Sequence, residues 1–139
     1  MHLLDSDTLS HLQAGNLRAA AHMRTVGDIV GTTIVTKIEV LRARFETVIK
    51  ASDGDELLAA QNRLLQSERL FARLLVVQFD SAAARLFDSM RRVRKIKRIG
   101  RADLLIASIA LAQNAMLVTR NLRHFREVPN LGVVNWVDS

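Results

Sequence analysis

The chain has 139 residues, 49% of them hydrophobic and 24% charged, a composition typical of one globular domain with one core. It contains no cysteine, which excludes a disulfide scaffold, a zinc–thiolate site and thiol catalysis. The opening residues, MHLLDSDTLS, lack the basic and apolar regions of a signal peptide, and no apolar run is long enough to span a bilayer. We therefore expect a single domain over residues 1–139, located in the cytoplasm and not bound to a membrane.

The net charge of +6 is concentrated in one segment of the chain. Residues 91–101 (RRVRKIKRIGR) hold seven of the 20 basic residues and no acidic residue, so the rest of the chain is close to neutral. A local basic patch of this kind favours a phosphate-bearing partner, above all a nucleic acid. The alternative is a solvated helix face followed by a tail, without a binding role.

The first half of the chain alternates short apolar strands with amphipathic helices. Residues 2–5 (HLLD) are predicted to form a buried strand that ends in a carboxylate, and 29–32 form a second strand between two glycines. The helices predicted in this half cover 8–14, 16–25, a segment capped by Thr33 or Thr36 with an apolar stripe from Val35 to Ile49, and 56–71.

The second half continues the alternation. Strands are predicted at 74–79, 116–119 and 133–135, and helices at 82–95 and 104–113, the first capped by Asp80 or Ser81 and the second opened by Asp103. Near-continuous apolar strands that alternate with helices indicate a parallel sheet covered on both faces. The pattern predicts a three-layer α/β/α domain with a mostly parallel central sheet and a helical arm at 55–72.

Acidic residues fall where a parallel sheet places its functional sites, at the carboxyl ends of strands. Asp5 ends the first strand, with Asp7 just beyond it, and Asp103 opens a helix, while Glu39 lies beside the apolar stripe of the helix that follows the second strand. Carboxylates that converge repel one another unless a cation lies between them, and oxygen ligands select Mg²⁺ or Mn²⁺. Such an ion beside a basic patch suits phosphodiester hydrolysis.

Each of these acids also has a purely structural explanation. Asp5 or Asp7 could cap the helix that follows the first strand. Asp103 could be a first-turn acid that the helix dipole stabilises. Glu39 could pair with Arg42 or Arg44 of its own helix. An acid taken alone fits these explanations, whereas the acids taken together favour one common site.

Other site chemistries fit the sequence poorly. It contains no G-x-S-x-G, H-E-x-x-H, G-x-x-x-x-G-K-[ST] or G-x-G-x-x-G motif, and its four histidines lack metal-ligand spacing. Aromatic residues are 4% of the chain and none is a tyrosine, which argues against recognition of RNA bases by stacking.

Three segments resemble the PIN-domain ribonucleases, specifically the VapC-type toxins of bacterial toxin–antitoxin pairs. They are LLDSDTLSHL at the start, TTIVTKIEVLRAR after the second strand, and GRADLLIASIALAQNAMLVTRNLRHFREVPNLGVVNW near the end. The third segment is the most specific, and the resemblance extends along the whole chain in order, loosest over 50–90.

The resemblance implies a Mg²⁺- or Mn²⁺-dependent endoribonuclease in which Asp5, Glu39 and Asp103 are the catalytic, metal-binding acids. Asp7 falls where the family often has Asn or Asp, which implies a supporting role. The family's fourth acid corresponds to Asn121, which departs from the pattern because it brings no charge. We therefore expect one ion held by Asp5 and Asp103, with Glu39 bound partly through water and Asn121 in support.

The substrate is predicted to bind along the basic segment. Arg92 and Lys97 would seat the RNA backbone, and Arg101 would lie nearest the acids because it is two residues from Asp103. His124, one turn beyond the position of the fourth acid, could also contact the RNA.

The resemblance further implies a homodimer that a VapB-like antitoxin blocks, with operator DNA bound only through the antitoxin complex. A second function stays open: a catalytically weak module that binds nucleic acid and antitoxin in an operator-bound complex, which Asn121 favours. A third is a receiver-like signalling domain, with Asp80 as phospho-acceptor. That domain needs a lysine near the last strand, and residues 116–135 contain none.

Overall fold

Five short strands form one sheet in the computed structural model, which describes residues 1–139 apart from the side chain of Lys97. The strands are β1 (His2–Leu4), β2 (Val30–Thr33), β3 (Leu75–Val77), β4 (Met116–Val118) and β5 (Val133–Val134). Every neighbouring pair is parallel, in the order β3-β2-β1-β4-β5. Since the order reverses at the central strand, the loops after β1 and β4 leave a crevice at their carboxyl ends.

Helices fill the connections between these strands. They are α1 (Ser6–Gln13), α2 (Leu17–Thr25), α3 (Ile34–Lys50), α4 (Gly54–Arg73), α5 (Ser81–Met90), α6 (Arg101–Ala112) and α7 (Leu122–Phe125), with a 3₁₀ turn at Ile96–Arg98. Side-chain oxygens of Asp5, Asn16, Thr33, Asp53 and Asp80 cap the first five. The cap of α3 is thus Thr33 rather than Thr36, and short polar residues set most helix starts.

Two hydrophobic clusters cover the two faces of the sheet. Leu3 and Leu117 pack on one face with α5 and α6, whereas their neighbours Leu4 and Val118 pack on the other with Leu9 of α1 and residues of α4. Successive side chains of a strand point to opposite faces, which is why adjacent leucines serve different cores. The predicted three-layer α/β/α arrangement is confirmed, and the sheet is entirely parallel.

The structure differs from the predicted elements in two places. Helix α5 ends at Met90 rather than at residue 95, because the chain turns to bury Ile96 and Ile99 instead of extending a densely charged helix. After β4 the structure also has a short helix that the sequence did not predict, α7, which buries Phe125 completely.

The apolar stripe predicted on α3 is only partly covered. Ile38, Phe45 and Ile49 are exposed by 56%, 50% and 81%, and Leu58 of α4 is exposed by 60%. Helix α4, which covers the predicted arm at 55–72, packs against α3, and this part of their apolar surface stays open to solvent. Within the described residues, none of the helices is both long enough and apolar enough to cross a membrane.

Candidate active site

A cavity of about 480 Å³ opens at the carboxyl ends of β1 and β4. Its lining comes from the loops after three strands and from four helices. Among the described side chains, the lining residues are Asp5, Ser6, Asp7, Glu39, Asp103, Arg120, Asn121, Phe125 and Asp138. The structure therefore brings together five predicted site residues that are far apart in the sequence, at the switch point where an open parallel sheet binds its ligands.

Asp5 has a structural role and also lines the cavity. The backbone N–H of Thr8 donates to its Oδ1 at 2.8 Å, which caps α1, and the side chain is only 7% exposed. Burial raises the pKa of Asp5, while hydrogen bonds from Thr119 and Thr8 oppose the shift and the nearby charge of Asp7 adds to it. The capping and site interpretations of Asp5 are thus compatible.

Glu39 is held by a residue of a different element. The hydroxyl of Ser6, on α1, donates to Glu39 Oε1 at 2.7 Å and lies 3.2 Å from the hydroxyl of Thr36. Arg44 does not pair with Glu39 as the sequence suggested. Its Nε instead donates to the hydroxyl of Ser67 on α4 at 3.1 Å. A neutral hydroxyl orients the Glu39 carboxylate without cancelling its charge.

Asp103 lies in the first turn of α6, half-buried at the cavity wall. Burial raises its pKa, the charges of Asp5 and Glu39 raise it further, and His124 lowers it. The charges of Asp5 and Glu39 therefore act on Asp103 across the cavity and disfavour its ionisation.

The chemistry of this donor set fits a hard divalent cation. The three side chains offer only oxygen ligands, and their mutual repulsion is the kind that such a cation relieves. They are not drawn together as a preformed cluster: within the described residues, no three His, Cys, Asp or Glu side chains lie close enough to hold an ion. Asp5 Oδ1 instead caps α1, and Glu39 Oε1 accepts from Ser6.

Arg120 and Asp138 also line the cavity, and neither was predicted as a site residue from the sequence. Arg120 Nε and Nη2 donate to the two carboxylate oxygens of Asp138 at 3.1 and 3.4 Å, and Nη1 lies 3.7 Å from Asp7. The Arg120 hydrogen bond lowers the pKa of Asp138. Their positions after β4 and β5 could have been noticed, because the rule of strand ends that pointed to Asp5 applies to them as well.

Asn121 and His124 lie together beside the cavity. Asn121 Nδ2 and His124 Nδ1 are 3.0 Å apart, and the Asn121 backbone N–H donates to the hydroxyl of Thr119 at 3.0 Å. Asn121 lines the cavity, and His124 is exposed next to it. Asn121 therefore contributes an uncharged amide to the cavity lining.

None of the described side chains of the basic segment lines the cavity. Arg92 is exposed in the turn after α5, and the Lys97 side chain falls outside what the structure describes. The Arg101 guanidinium packs 5.5 Å from the centre of the Phe87 ring. Arg101 is not among the residues that line the cavity, because residues two apart on a helix, such as Arg101 and Asp103, do not face the same side.

Asp80 does not occupy the position that a receiver-like domain requires. Its Oδ1 accepts from the backbone N–H of Ala83 at 2.9 Å and caps α5. It follows β3, which is an edge strand, and it is not among the cavity residues. The structure therefore gives no support to a phospho-acceptor role for Asp80.

Fold and cavity together define a doubly wound α/β protein with an acidic site at its switch point. The PIN domain family matches residues 2–131 of the chain. A curated relative, the tRNA(fMet)-specific endonuclease VapC of Salmonella typhimurium, is 30% identical over 118 residues, which cover 75% of this chain and 89% of that protein. The chain belongs to the PIN-domain family, within its VapC group.

Other relatives agree with this assignment. Ribonuclease VapC2 of Rickettsia felis is 40% identical over 67 residues, a match that spans 47% of this chain and half the length of that protein. Two solved structures share the fold, with 97% of this chain covered in each. VapBC2 of Rickettsia felis, bound to a DNA fragment from its promoter, has a TM-score of 0.78 and 22% sequence identity, and 98% of its chain is covered. VapBC-1 of nontypeable Haemophilus influenzae has a TM-score of 0.80 and 21% sequence identity, and 97% of its chain is covered.

Proposed function

We propose that the chain is a Mg²⁺- or Mn²⁺-dependent endoribonuclease and the toxin of a VapBC-type toxin–antitoxin pair. One observation carries the proposal: Asp5, Glu39 and Asp103, from three separate elements, line one cavity. Burial and neighbouring charge raise the pKa of Asp5 and Asp103, and perturbed pKa values of this kind cluster at functional sites. Relatives named as a ribonuclease and a tRNA-specific endonuclease support RNA as the substrate class.

Each polar residue of the cavity has its own proposed role toward the cation. Asp5 and Asp103 would hold the cation, Glu39 would bind it partly through water, and Asn121 would offer its neutral amide oxygen. When bound, the cation would acidify a water for attack on phosphorus and offset the charge of the phosphate. Ser6 keeps the Glu39 carboxylate in place through its 2.7 Å hydrogen bond. One ion suits this donor set better than two, because Asn121 adds no charge.

The RNA backbone would reach the cavity along the basic segment 91–101. Its positive charge attracts a polyanion without regard to sequence. Arg92, Lys97 and Arg101 supply part of that charge, and His124 would contact the RNA beside Asn121. The whole chain would work as a single domain in the cytoplasm.

The expected partners are a VapB-like antitoxin and a second copy of the chain. The related VapBC structures of Rickettsia felis and Salmonella typhimurium contain DNA, which supports operator binding through the antitoxin complex. The exposed apolar side chains of Ile38, Phe45 and Ile49 on α3 support a protein partner on that helix.

The test is replacement of one acid with a matched control. Asp103→Asn should lower RNA cleavage by about a hundredfold or more, since it removes an anionic ligand at the reacting centre. Asp55→Asn changes another first-turn acid, on α4, and should cleave like the parent. EDTA should stop the parent, and Mg²⁺ or Mn²⁺ should restore it. A folded Asp103→Asn protein that cleaves at the parental rate would overturn the proposal.

Sequencing the 5′ ends of RNA fragments would identify the target class and the cleavage position. Fragments that appear with the parent and not with Asp103→Asn would arise from this site. Transfer RNA, ribosomal RNA and messenger RNA would each give a distinct set of ends.

Asn121 favours a second candidate function, a catalytically weak module that binds nucleic acid together with an antitoxin. Its amide takes the position of a fourth acid. Purified chain that binds operator DNA with the antitoxin, yet cleaves no RNA with Mg²⁺ or Mn²⁺, would support this candidate over the nuclease.

A further inference from the structure

Arg120 is the one cationic residue among the described side chains that line the acidic cavity. It faces five carboxylates there, those of Asp5, Asp7, Glu39, Asp103 and Asp138. A wall of this charge repels RNA, which must nevertheless bring a phosphate against it for cleavage. A single guanidinium inside the wall is therefore a natural place for a backbone phosphate to bind.

The guanidinium is oriented by a forked pairing with Asp138. Nε and Nη2 donate to the two oxygens of that carboxylate at 3.1 and 3.4 Å. The remaining nitrogen, Nη1, lies 3.1 Å from His11 Nε2 and 3.7 Å from Asp7 Oδ2. The second distance is too long for a hydrogen bond, so Nη1 keeps an N–H for another acceptor.

Asp138 is itself fixed independently of Arg120. Its backbone N–H donates to Asn135 Oδ1 at 3.1 Å, and Asn135 Nδ2 donates to its Oδ2 at 2.9 Å. The Asp138 carbonyl accepts from Arg18 of α2. Because Asn135 and Arg18 hold Asp138 in place, its carboxylate can orient the Arg120 guanidinium.

We propose that Arg120 binds an RNA backbone phosphate at the rim of the cavity through Nη1, and that Asp138 is the positioning residue that holds it for this contact. The inference rests on the proposed nuclease function and adds a substrate contact to it. The contrasting explanation is that the pair only ties the 135–139 turn to the loop after β4. That explanation predicts effects on stability alone.

The experiment compares Arg120→Ala, Arg120→Lys and Asp138→Asn with the parent, and uses Arg69→Ala as the control. Arg69 is an exposed arginine of α4 outside the cavity, so its removal reproduces the loss of one charge. Cleavage of unfractionated transfer RNA and ribosomal RNA with Mg²⁺ gives kcat and KM. Binding of a fluorescein-labelled single-stranded RNA is measured over a range of salt in the Asp103→Asn background without divalent cations.

Arg120→Ala should lower kcat/KM by about ten- to a hundredfold, the effect of one lost charge-assisted hydrogen bond, and should reduce the salt dependence of RNA binding by about one phosphate contact. Arg120→Lys keeps the positive charge but loses the paired hydrogen bonds to Asp138, so RNA affinity should be largely retained while kcat falls. Asp138→Asn should lower kcat several-fold. Arg69→Ala should match the parent.

Two kinds of failure are distinguishable. If the parent cleaves RNA, Asp103→Asn does not, and Arg120→Ala retains the parental kcat/KM and salt dependence, the role of Arg120 is overturned and the nuclease stands. If the parent does not cleave RNA with either metal, the nuclease is overturned, and the RNA-binding series still tests Arg120. Should Arg120→Ala fail to fold, a parental kcat in Arg120→Lys would count against the proposal.

Discussion

Ser6 and Glu39 are 33 positions apart in the sequence, and the Ser6 hydroxyl donates to the Glu39 carboxylate at 2.7 Å. The contact joins the start of α1 to the second turn of α3 at the edge of the cavity. It fixes one of the three acids on which the proposed cleavage depends. A contact between separate elements of this kind can be tested by removing a single oxygen atom.

Ser6→Ala should lower kcat by about tenfold, because a hydrogen bond to a charged group contributes about 1.5–3 kcal/mol. Glu39 would then be free to leave its position at the cavity. Ser10→Ala removes an exposed hydroxyl from the same helix and should retain the parental rate. A rate in Ser6→Ala equal to that of Ser10→Ala would show that Glu39 needs no such support.

The two roles of Asp5 are separable by the choice of replacement. Asn caps helices as well as Asp does, so Asp5→Asn should keep the stability of α1 and lose RNA cleavage. Asp5→Ala should lose cleavage and also about 1 kcal/mol of unfolding free energy. Urea unfolding and cleavage assays on both variants check this expectation.

Asp53 provides the control for Asp5 because its Oδ1 caps α4 in the same way, 2.9 Å from the Glu56 nitrogen. Asp53→Ala should lose comparable stability while it retains cleavage. Loss of cleavage in Asp53→Ala would mean that helix capping alone explains the effect at Asp5.

Asp103 predicts a pH dependence of stability in the absence of divalent cations. Burial and the charges of Asp5 and Glu39 raise its pKa above the ordinary 3.8, so the folded state favours the neutral carboxyl. The stability due to that neutral form is fully present below the unfolded pKa and is lost as pH rises through the folded pKa. Asp103→Asn stays neutral, so in EDTA it should be more stable than the parent near neutral pH, with the difference vanishing as the pH approaches the unfolded value.

Thermal unfolding of both proteins in EDTA, from acidic to neutral pH, checks this sign. Asp55→Asn, which alters an exposed first-turn acid, should show no such gain. A parent more stable than Asp103→Asn at neutral pH would contradict the electrostatic account of the cavity.

A divalent cation should stabilise the folded chain by mass action. At a hundred times the dissociation constant the gain is about 2.7 kcal/mol, seen as a higher unfolding temperature. The combined change of Asp5 and Asp103 to Asn should remove most of that gain. KCl of equal ionic strength serves as the control, and an equal gain from KCl would mean that the cation acts by general screening.

Gly31 predicts a purely structural effect away from the site. A Cβ at this position would lie 2.5 Å from the carbonyl oxygen of Leu75 on the neighbouring strand. Gly31→Ala should therefore cost about 1–3 kcal/mol of stability, the range for overpacking. Gly54→Ala, where a Cβ meets nothing within 4 Å, should cost nothing comparable. Urea unfolding compares the two, and equal stabilities would show that β2 and β3 can separate at little cost.

The sequence alone determined the alternation of apolar strands and capped helices, and hence the layered parallel sheet. This part was predictable because burial on both faces and helix capping are local properties of a few neighbouring residues. Asp5 could be placed at the site for a similar reason, since it directly follows an apolar strand and the carboxyl ends of parallel strands meet at one edge. Asn121 was placed there by the family resemblance.

Only the tertiary structure decided which side chains share the cavity and how they are paired. The Ser6 contact with Glu39 and the fork between Arg120 and Asp138 join residues from distant elements, and no local pattern encodes such a distance. The tertiary structure also decided that Arg101 packs against the Phe87 ring and that Ile38 is exposed to solvent. These outcomes depend on how each helix is rotated about its axis and on how α3 and α4 pack against each other. Packing of the whole core sets both, and the local sequence of a helix does not.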